Sequence, residues 1–202
     1  MKVTYISHSG FLIETKNCLF LFDYYEGKIP PLSQEKPLFI FVSHWHSDHF
    51  NPEIFSIRHE KVHYILSHDT RKHLPAGISP ENLCFMKPEE KLDFTLEDGN
   101  EHFTVETLKS TDCGVAFLIY YRRKYLYHAG DLNWWVWQGE TKQYNSNMTA
   151  NFLHYTKPLE NLDIWAAFLP LDPRQEEWYS KGFLHILEHA LSLIHISEPT
   201  RL

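Results

Sequence analysis

A short apolar run, Pro37-Leu-Phe-Ile-Phe-Val-Ser43, leads without a spacer into His44-Trp-His-Ser-Asp-His49. The run is rich in aromatic and β-branched residues and reads as a buried strand. Among the six residues after it are four of the types that bind divalent metals, His44, His46, Asp48 and His49. Imidazole nitrogen and carboxylate oxygen are the donors that a zinc ion takes in a catalytic site. A strand end gives such donors a rigid base that faces a cleft. The chain has 14 histidines, so a chance cluster on a surface loop is the competing reading. Four donors packed directly behind a buried strand favour the metal site.

The stretch His44-Trp-His46-Ser-Asp48-His49 resembles the signature of the metallo-β-lactamase fold hydrolases. The resemblance covers roughly residues 2–190. With Ser110-Thr-Asp112 and His128-Ala-Gly-Asp-Leu-Asn-Trp-Trp135, the chain looks like a bacterial subgroup of unassigned substrate and is similar to the lactonase-like branch. It implies an α/β chain folded as an αββα sandwich with the metals at one edge. In that family the first two histidines hold one metal, here His44 and His46. The aspartate and last histidine, here Asp48 and His49, hold a second. A metal-bound hydroxide is the nucleophile, and Asp48 is the residue to hold or relay its proton. Two zinc ions are the cofactor this implies, with Mn2+, Mg2+ or Fe2+ as alternatives.

Two later segments extend the resemblance. Tyr127-His-Ala-Gly-Asp-Leu-Asn133 runs from a strand into Gly-Asp, the family's position for the carboxylate that bridges both metals. Asp131 is therefore a candidate ligand, with a turn aspartate as the bland alternative. His128 is either its supporting neighbour or a packed strand-end histidine. Leu108-Lys-Ser-Thr-Asp-Cys-Gly114 lies where most of the family carries another histidine ligand, and it has none. Asp112 takes that place, or water does. A hard carboxylate there makes manganese, magnesium or iron more competitive with zinc. Near the N-terminus, Asp23 closes an apolar strand and is either a support for the metal loop or a turn residue. His8 is either close to the metal or an exposed turn histidine.

The rest of the chain alternates strands with short helices, an α/β pattern. Strands are expected at 3–7, 11–14, 18–23, 61–67, 83–87, 91–97, 101–108, 115–121, 124–128 and 163–169. Asn51-Pro-Glu53 has the cap, proline and acidic residue of a helix start. Asp69–Leu74, 141–160 and Gly182–Leu191 are the other expected helices. Glu97-Asp-Gly-Asn100 and Arg122-Arg123 are expected hairpin turns. Trp134, Trp135 and Trp137 either line a cleft or pack under a following helix. Arg174 offers a fork to an anionic substrate or makes a surface ion pair. His185 and His189 share a helix face without a third ligand nearby, which favours a plain surface.

Composition narrows the function. The net charge of −7 argues against a nucleic-acid footprint. It favours a small-molecule substrate, anionic where it would meet bound metal. Three scattered cysteines, Cys18, Cys84 and Cys113, fit a reducing cytoplasm, with Cys113 read as a small buried thiol. No apolar stretch approaches the ~20 residues that span a bilayer. Residues 1–191 read as one hydrolase domain. Residues 192–202 resemble translated sequencing-adapter sequence, so the fold is expected to be incomplete at its C-terminus. The rival is a genuine strand presenting His195. The expected activity is metal-dependent hydrolysis of a small ester, lactone or phosphoester. The alternatives are an inactivated metal-binding domain and an RNA-processing nuclease.

Overall fold

The computed structural model describes residues 1–78, 82–96, 99, 101–192 and 195–199, with side chains described to residue 190. The chain divides into two compact units, Met1–Lys87 and Pro88–Leu202.

The first unit is built on a six-stranded sheet in sequence order. Its strands are β1 (Lys2–Ser7), β2 (Gly10–Glu14), β3 (Leu19–Phe22), β4 (Leu38–Val42), β5 (Val62–Ser67) and β6 (Leu83–Met86). The first three are antiparallel, and β3 to β6 run parallel. Strands β3 and β4 are buried along their whole length, as continuous apolar runs in parallel sheets are. Alternation sorts their two faces. Leu19, Leu21, Leu38, Ile40 and Val42 join a core with Phe50, Ile54 and Tyr64. The other face carries an aromatic ladder in which Phe22 stacks on Phe41 at 4.8 Å between centroids.

Short 3-10 helices follow the parallel strands. Asn51 caps Pro52–Ser56 by accepting the Glu53 amide at 2.9 Å, as Asn-Pro-Glu predicts. A second, His68–His73, follows β5.

The second unit holds β7 (Lys91–Thr95), β8 (His102–Lys109), β9 (Val115–Tyr121), β10 (Lys124–His128), β11 (Asp163–Leu171), β12 (Leu191–Ser192) and β13 (His195–Pro199). Strands β7 to β10 are antiparallel neighbours. Strand β11 runs parallel to β10, and both β12 and β13 run parallel to β11. The hairpin over Arg122-Arg123 turns through two left-handed residues, with φ of 51° and 69°. Residues 97, 98 and 100 of the other expected turn lie outside the described residues, although β7 and β8 pair on either side of it. The expectation for His195 concerns a side chain outside the described residues; its backbone pairs in register with Ala167.

Helix α1 (Lys142–Thr156) is capped by Thr141 and buries Met148, Phe152 and Thr156. Helix α2 (Lys181–His189) has an apolar stripe. Phe152 of α1 and Ile186 of α2 enter one core with Leu108, Leu118, Tyr127, Ile164 and Leu169. Among the described residues no helix is long and apolar enough to cross a membrane.

Candidate metal centre

The metal loop starts where β4 ends. Strands β3 and β4 are parallel and in register, so their C-terminal ends lie side by side. Asp23 leaves β3 in a left-handed conformation, with φ of 38°. This turns its fully buried carboxylate onto the start of the neighbouring loop. One oxygen accepts the Ser43 amide at 2.7 Å, and the other accepts the Ser43 hydroxyl at 2.6 Å. The second oxygen also lies 2.8 Å from His49 Nδ1. Asp23 thus supports the His44–His49 loop and is not merely a turn residue.

The loop then closes on itself. The His46 carbonyl accepts the amides of His49 and Phe50 at 3.0 and 2.9 Å. That tight turn gathers the rings of His44, His46 and His49. The centroid of His44 is 4.7 Å from that of His46 and 4.1 Å from that of His49. Ser43 Oγ lies 3.0 Å from His44 Nδ1.

His8 sits in the turn between β1 and β2, with φ of 50°. Its Nε2 is 3.3 Å from Asp48 Oδ2, and its ring is 5.1 Å from that of His49. His8 is therefore beside the loop donors and not an exposed turn histidine. The His8 imidazole beside Asp48 holds its carboxyl well below the usual carboxylate range, helped by His49 and opposed by partial burial. His8, Asp48 and His49 each offer a ligand atom within 4.8 Å of the others.

A divalent ion fits this donor set. Ring nitrogens Nδ1 of His49 and His44 face the Asp23 carboxylate and the Ser43 hydroxyl. Metal-binding histidines use such partners to fix the tautomer and direct the other nitrogen at the ion. With its pKa lowered, Asp48 stays ionised, the form in which a carboxylate can bind a metal.

In the second unit, Asp131 follows Gly130, whose φ is 51°. The Asp131 carbonyl accepts Trp135 Nε1 at 2.8 Å and Thr111 Oγ1 at 3.4 Å. Thr111 Oγ1 also donates to the Asn133 carbonyl at 2.7 Å. The Ser-Thr-Asp and Gly-Asp segments are thereby stitched into one corner of this unit. Asp112 is exposed, and its amide donates to Ser110 Oγ at 3.1 Å. Cys113 is half-buried, with its thiol 3.9 Å from Asp112 Oδ1, where a buried thiol was expected. His128 is buried, and its Nδ1 accepts the Gly130 amide at 3.2 Å.

Other expectations resolve locally. Trp134 packs on α1: its ring stacks on Phe152 at 5.1 Å and its Nε1 donates to Thr149 at 2.8 Å. Trp135 and Trp137 stack on each other at 6.0 Å. Arg174 makes an ion pair: Nε donates to both oxygens of the buried Asp172 at 2.9 Å. His185 and His189 stack at 4.1 Å, with His189 Nδ1 2.8 Å from the His185 carbonyl.

Three residues around the loop escape sequence reasoning. Ser43 has only its place behind a strand as a signal. Asp69 follows β5, and both its carboxylate oxygens are buried without a close hydrogen bond. Its polar neighbours are Ser67, the Thr70 and Trp45 amides and His46. Burial raises its pKa above the usual carboxylate range. His73 stacks on Trp45, a contact that no local pattern announces.

No protein-family model matches the chain. Among curated proteins, it is similar to a UPF0173 metal-dependent hydrolase of Opitutus terrae. The two are 29% identical over 146 residues, which is 65% of this chain and 63% of that protein. The match thus spans less than two thirds of the relative's length. Among solved structures, it resembles Igni18, a metallo hydrolase from the hyperthermophilic archaeon Ignicoccus hospitalis. The TM-score is 0.62 at 14% identity, over 96% of this chain and 80% of that one. It also resembles an isothiocyanate hydrolase from Delia radicum gut bacteria, with a TM-score of 0.55 at 13% identity, over 98% of this chain and 84% of that one. The chain shares the α/β fold of these solved structures.

Proposed function

We propose that this protein is a cytoplasmic, metal-dependent hydrolase of a small ester, lactone or phosphoester that carries negative charge. The observation that carries the reading is the strand-end histidine cluster locked by the buried Asp23. A buried carboxylate that fixes one histidine and the start of the loop is the support a metal site requires. The relative named as a metal-dependent hydrolase supports the same reading, and the fold shared with Igni18, a metallo hydrolase, agrees with it.

His44, His46, Asp48 and His49 would hold the metal. The sequence resemblance adds Asp131 and Asp112 to the proposed ligand set. The three-imidazole loop favours zinc, and the extra carboxylates keep manganese and iron in competition. A bound divalent ion supplies a lowered water pKa and polarises the electrophile. The chain's own residues do the rest. Asp48 remains a carboxylate at neutral pH and accepts or holds the proton of the attacking water. His8, 3.3 Å from it, is the nearest group to share that proton. Asp23 and Ser43 keep the donors aligned through the reaction.

The test is turnover of a panel of esters, lactones and phosphodiesters with added zinc or manganese, beside His46→Ala and Asp131→Asn. Metal content is measured on each protein. Metal-dependent turnover that falls at least a hundredfold in His46→Ala is expected. Equal activity in the variant, or turnover without metal, overturns the proposal.

A further inference from the structure

Trp45 sits between His44 and His46 in the metal loop, and its side chain is not part of the core. It is 40% exposed. The other five tryptophans are all partly buried. Exposure alone is common, and Tyr5 and Tyr179 are more exposed still; what sets Trp45 apart is its place between two loop histidines and the rings that hold it. The indole does not swing freely. Its ring stacks on His73 at 4.6 Å with planes 10° apart. The His46 ring meets it nearly edge-on at 4.6 Å and 67°. His73 is carried by the 3-10 helix His68–His73, and that helix is anchored by Thr70, whose hydroxyl donates to the Ser67 carbonyl at 2.8 Å. The indole is therefore held from two sides, beside two of the loop histidines, with 40% of the residue still open to solvent. Flat rings prefer such offset-stacked partners.

We propose that Trp45, braced by His73, is a specificity-determining platform that stacks a flat aromatic or conjugated group of the substrate beside the metal loop. This rests on the hydrolase reading above and names the substrate class within it: small esters whose acyl part carries an aryl or conjugated group. Hydrolysis of such an ester adds water across the acyl–oxygen bond, giving an aryl-bearing carboxylate and an alcohol. The carboxylate product keeps the platform's ligand group, so binding can be read without turnover.

The experiment compares wild type, Trp45→Ala, Trp45→Phe and His73→Ala, each first analysed for bound zinc. Dissociation constants for phenylacetate and acetate are measured by NMR titration. Turnover is measured on methyl phenylacetate and methyl acetate, which share a leaving group. Wild type is expected to prefer phenylacetate at least tenfold. Trp45→Ala should lose most of that preference with zinc content retained, Trp45→Phe should keep most of it, and His73→Ala should fall between. In turnover, the loss should appear in KM for methyl phenylacetate more than in kcat. No aryl preference in wild type, or an unchanged preference in Trp45→Ala, overturns the platform. Loss of zinc in Trp45→Ala and Trp45→Phe alike also overturns it, because the indole is then a prop for the loop. A Trp45-dependent preference for phenylacetate without turnover of either ester upholds the platform and overturns the ester substrate class, leaving lactone and phosphoester hydrolysis to the panel above.

Discussion

Asp23 and His49 are 26 positions apart in sequence, yet the Asp23 carboxylate lies 2.8 Å from His49 Nδ1 with both side chains essentially excluded from solvent. The same carboxylate holds the Ser43 amide and hydroxyl. One acid therefore fixes the start of the metal loop and its last histidine together. Asp23→Asn keeps the shape but offers an amide in place of one acceptor oxygen. It is expected to lower metal affinity about 10–100-fold, the usual effect of removing a ligand's supporting partner. It should also cost about 1–3 kcal/mol of stability, because a buried partner is left mismatched. Chelator competition and urea unfolding check the two effects separately.

Tyr127 is fully buried in β10, and its hydroxyl has no hydrogen-bond partner among the described residues. Burial drives the phenol far above its usual pKa, so it stays neutral. An unpaired buried hydroxyl costs about 1–3 kcal/mol relative to a satisfied one. Tyr127→Phe is therefore expected to stabilise the protein by about 1 kcal/mol, read as a higher urea midpoint with an unchanged slope.

Much of this was legible in the sequence because continuous apolar runs and turn residues are local signals. Leu38 to Val42 read as a buried strand, and it is one. Asn51-Pro-Glu53 read as a capped helix start, and Asn51 makes the cap. His44, His46, Asp48 and His49 read as a cluster because they are neighbours in sequence. What stayed open was mainly long-range. Nothing local tells whether an aspartate at a strand end turns inward, as Asp23 does, or outward. Arg174 and Asp172 are only two residues apart, yet spacing alone does not choose that pairing over a substrate. The stack of His73 on Trp45 depends on β4 and β5 being parallel neighbours, which only the folded sheet provides.

Gly182 lies in α2, where alanine would ordinarily gain helix stability. Here a Cβ would fall 2.1 Å from Asn133 Oδ1 and 3.1 Å from the Trp134 amide nitrogen. Asn133 cannot swing away freely, since it is buried and its Nδ2 donates to Gln175 Oε1 at 3.2 Å. Gly182→Ala is expected to destabilise by about 1–3 kcal/mol, the usual cost of overpacking. A lower melting temperature in place of the propensity gain is the outcome to look for.

His185 has its pKa lowered, first by burial and then by the charge of His189, while Glu188 and Glu160 pull the other way. Trp134 and Phe152 pack edge-on against its ring. The unfolded chain then binds more protons than the folded one. Stability is whole above the ordinary histidine pKa of about 6.5 and declines as pH falls through it. His185→Gln should flatten the fall in melting temperature between about pH 7.5 and pH 5.5. An identical slope in wild type and variant removes His185 as a contributor.

Asp69 offers a sharper contrast, because stability and metal binding should move in opposite directions. Its carboxylate oxygens are buried without a close hydrogen bond, beside His46 and the Trp45 amide. Burial raises its pKa, so the folded state pays for the charged form once pH exceeds the ordinary aspartate value of about 3.9. Asp69→Asn removes that cost. The metal-free variant should melt above wild type at pH 7.5, and the gap should narrow towards pH 4. The same substitution removes a negative charge that interacts with His46. A carboxylate near a ligating imidazole raises its basicity and fixes its orientation. Zinc affinity is accordingly expected to drop about tenfold in the variant that is more stable without metal. Melting in chelator and zinc titration with a competing dye measure the two signs independently, and equal or parallel changes would show that Asp69 does not act on the loop.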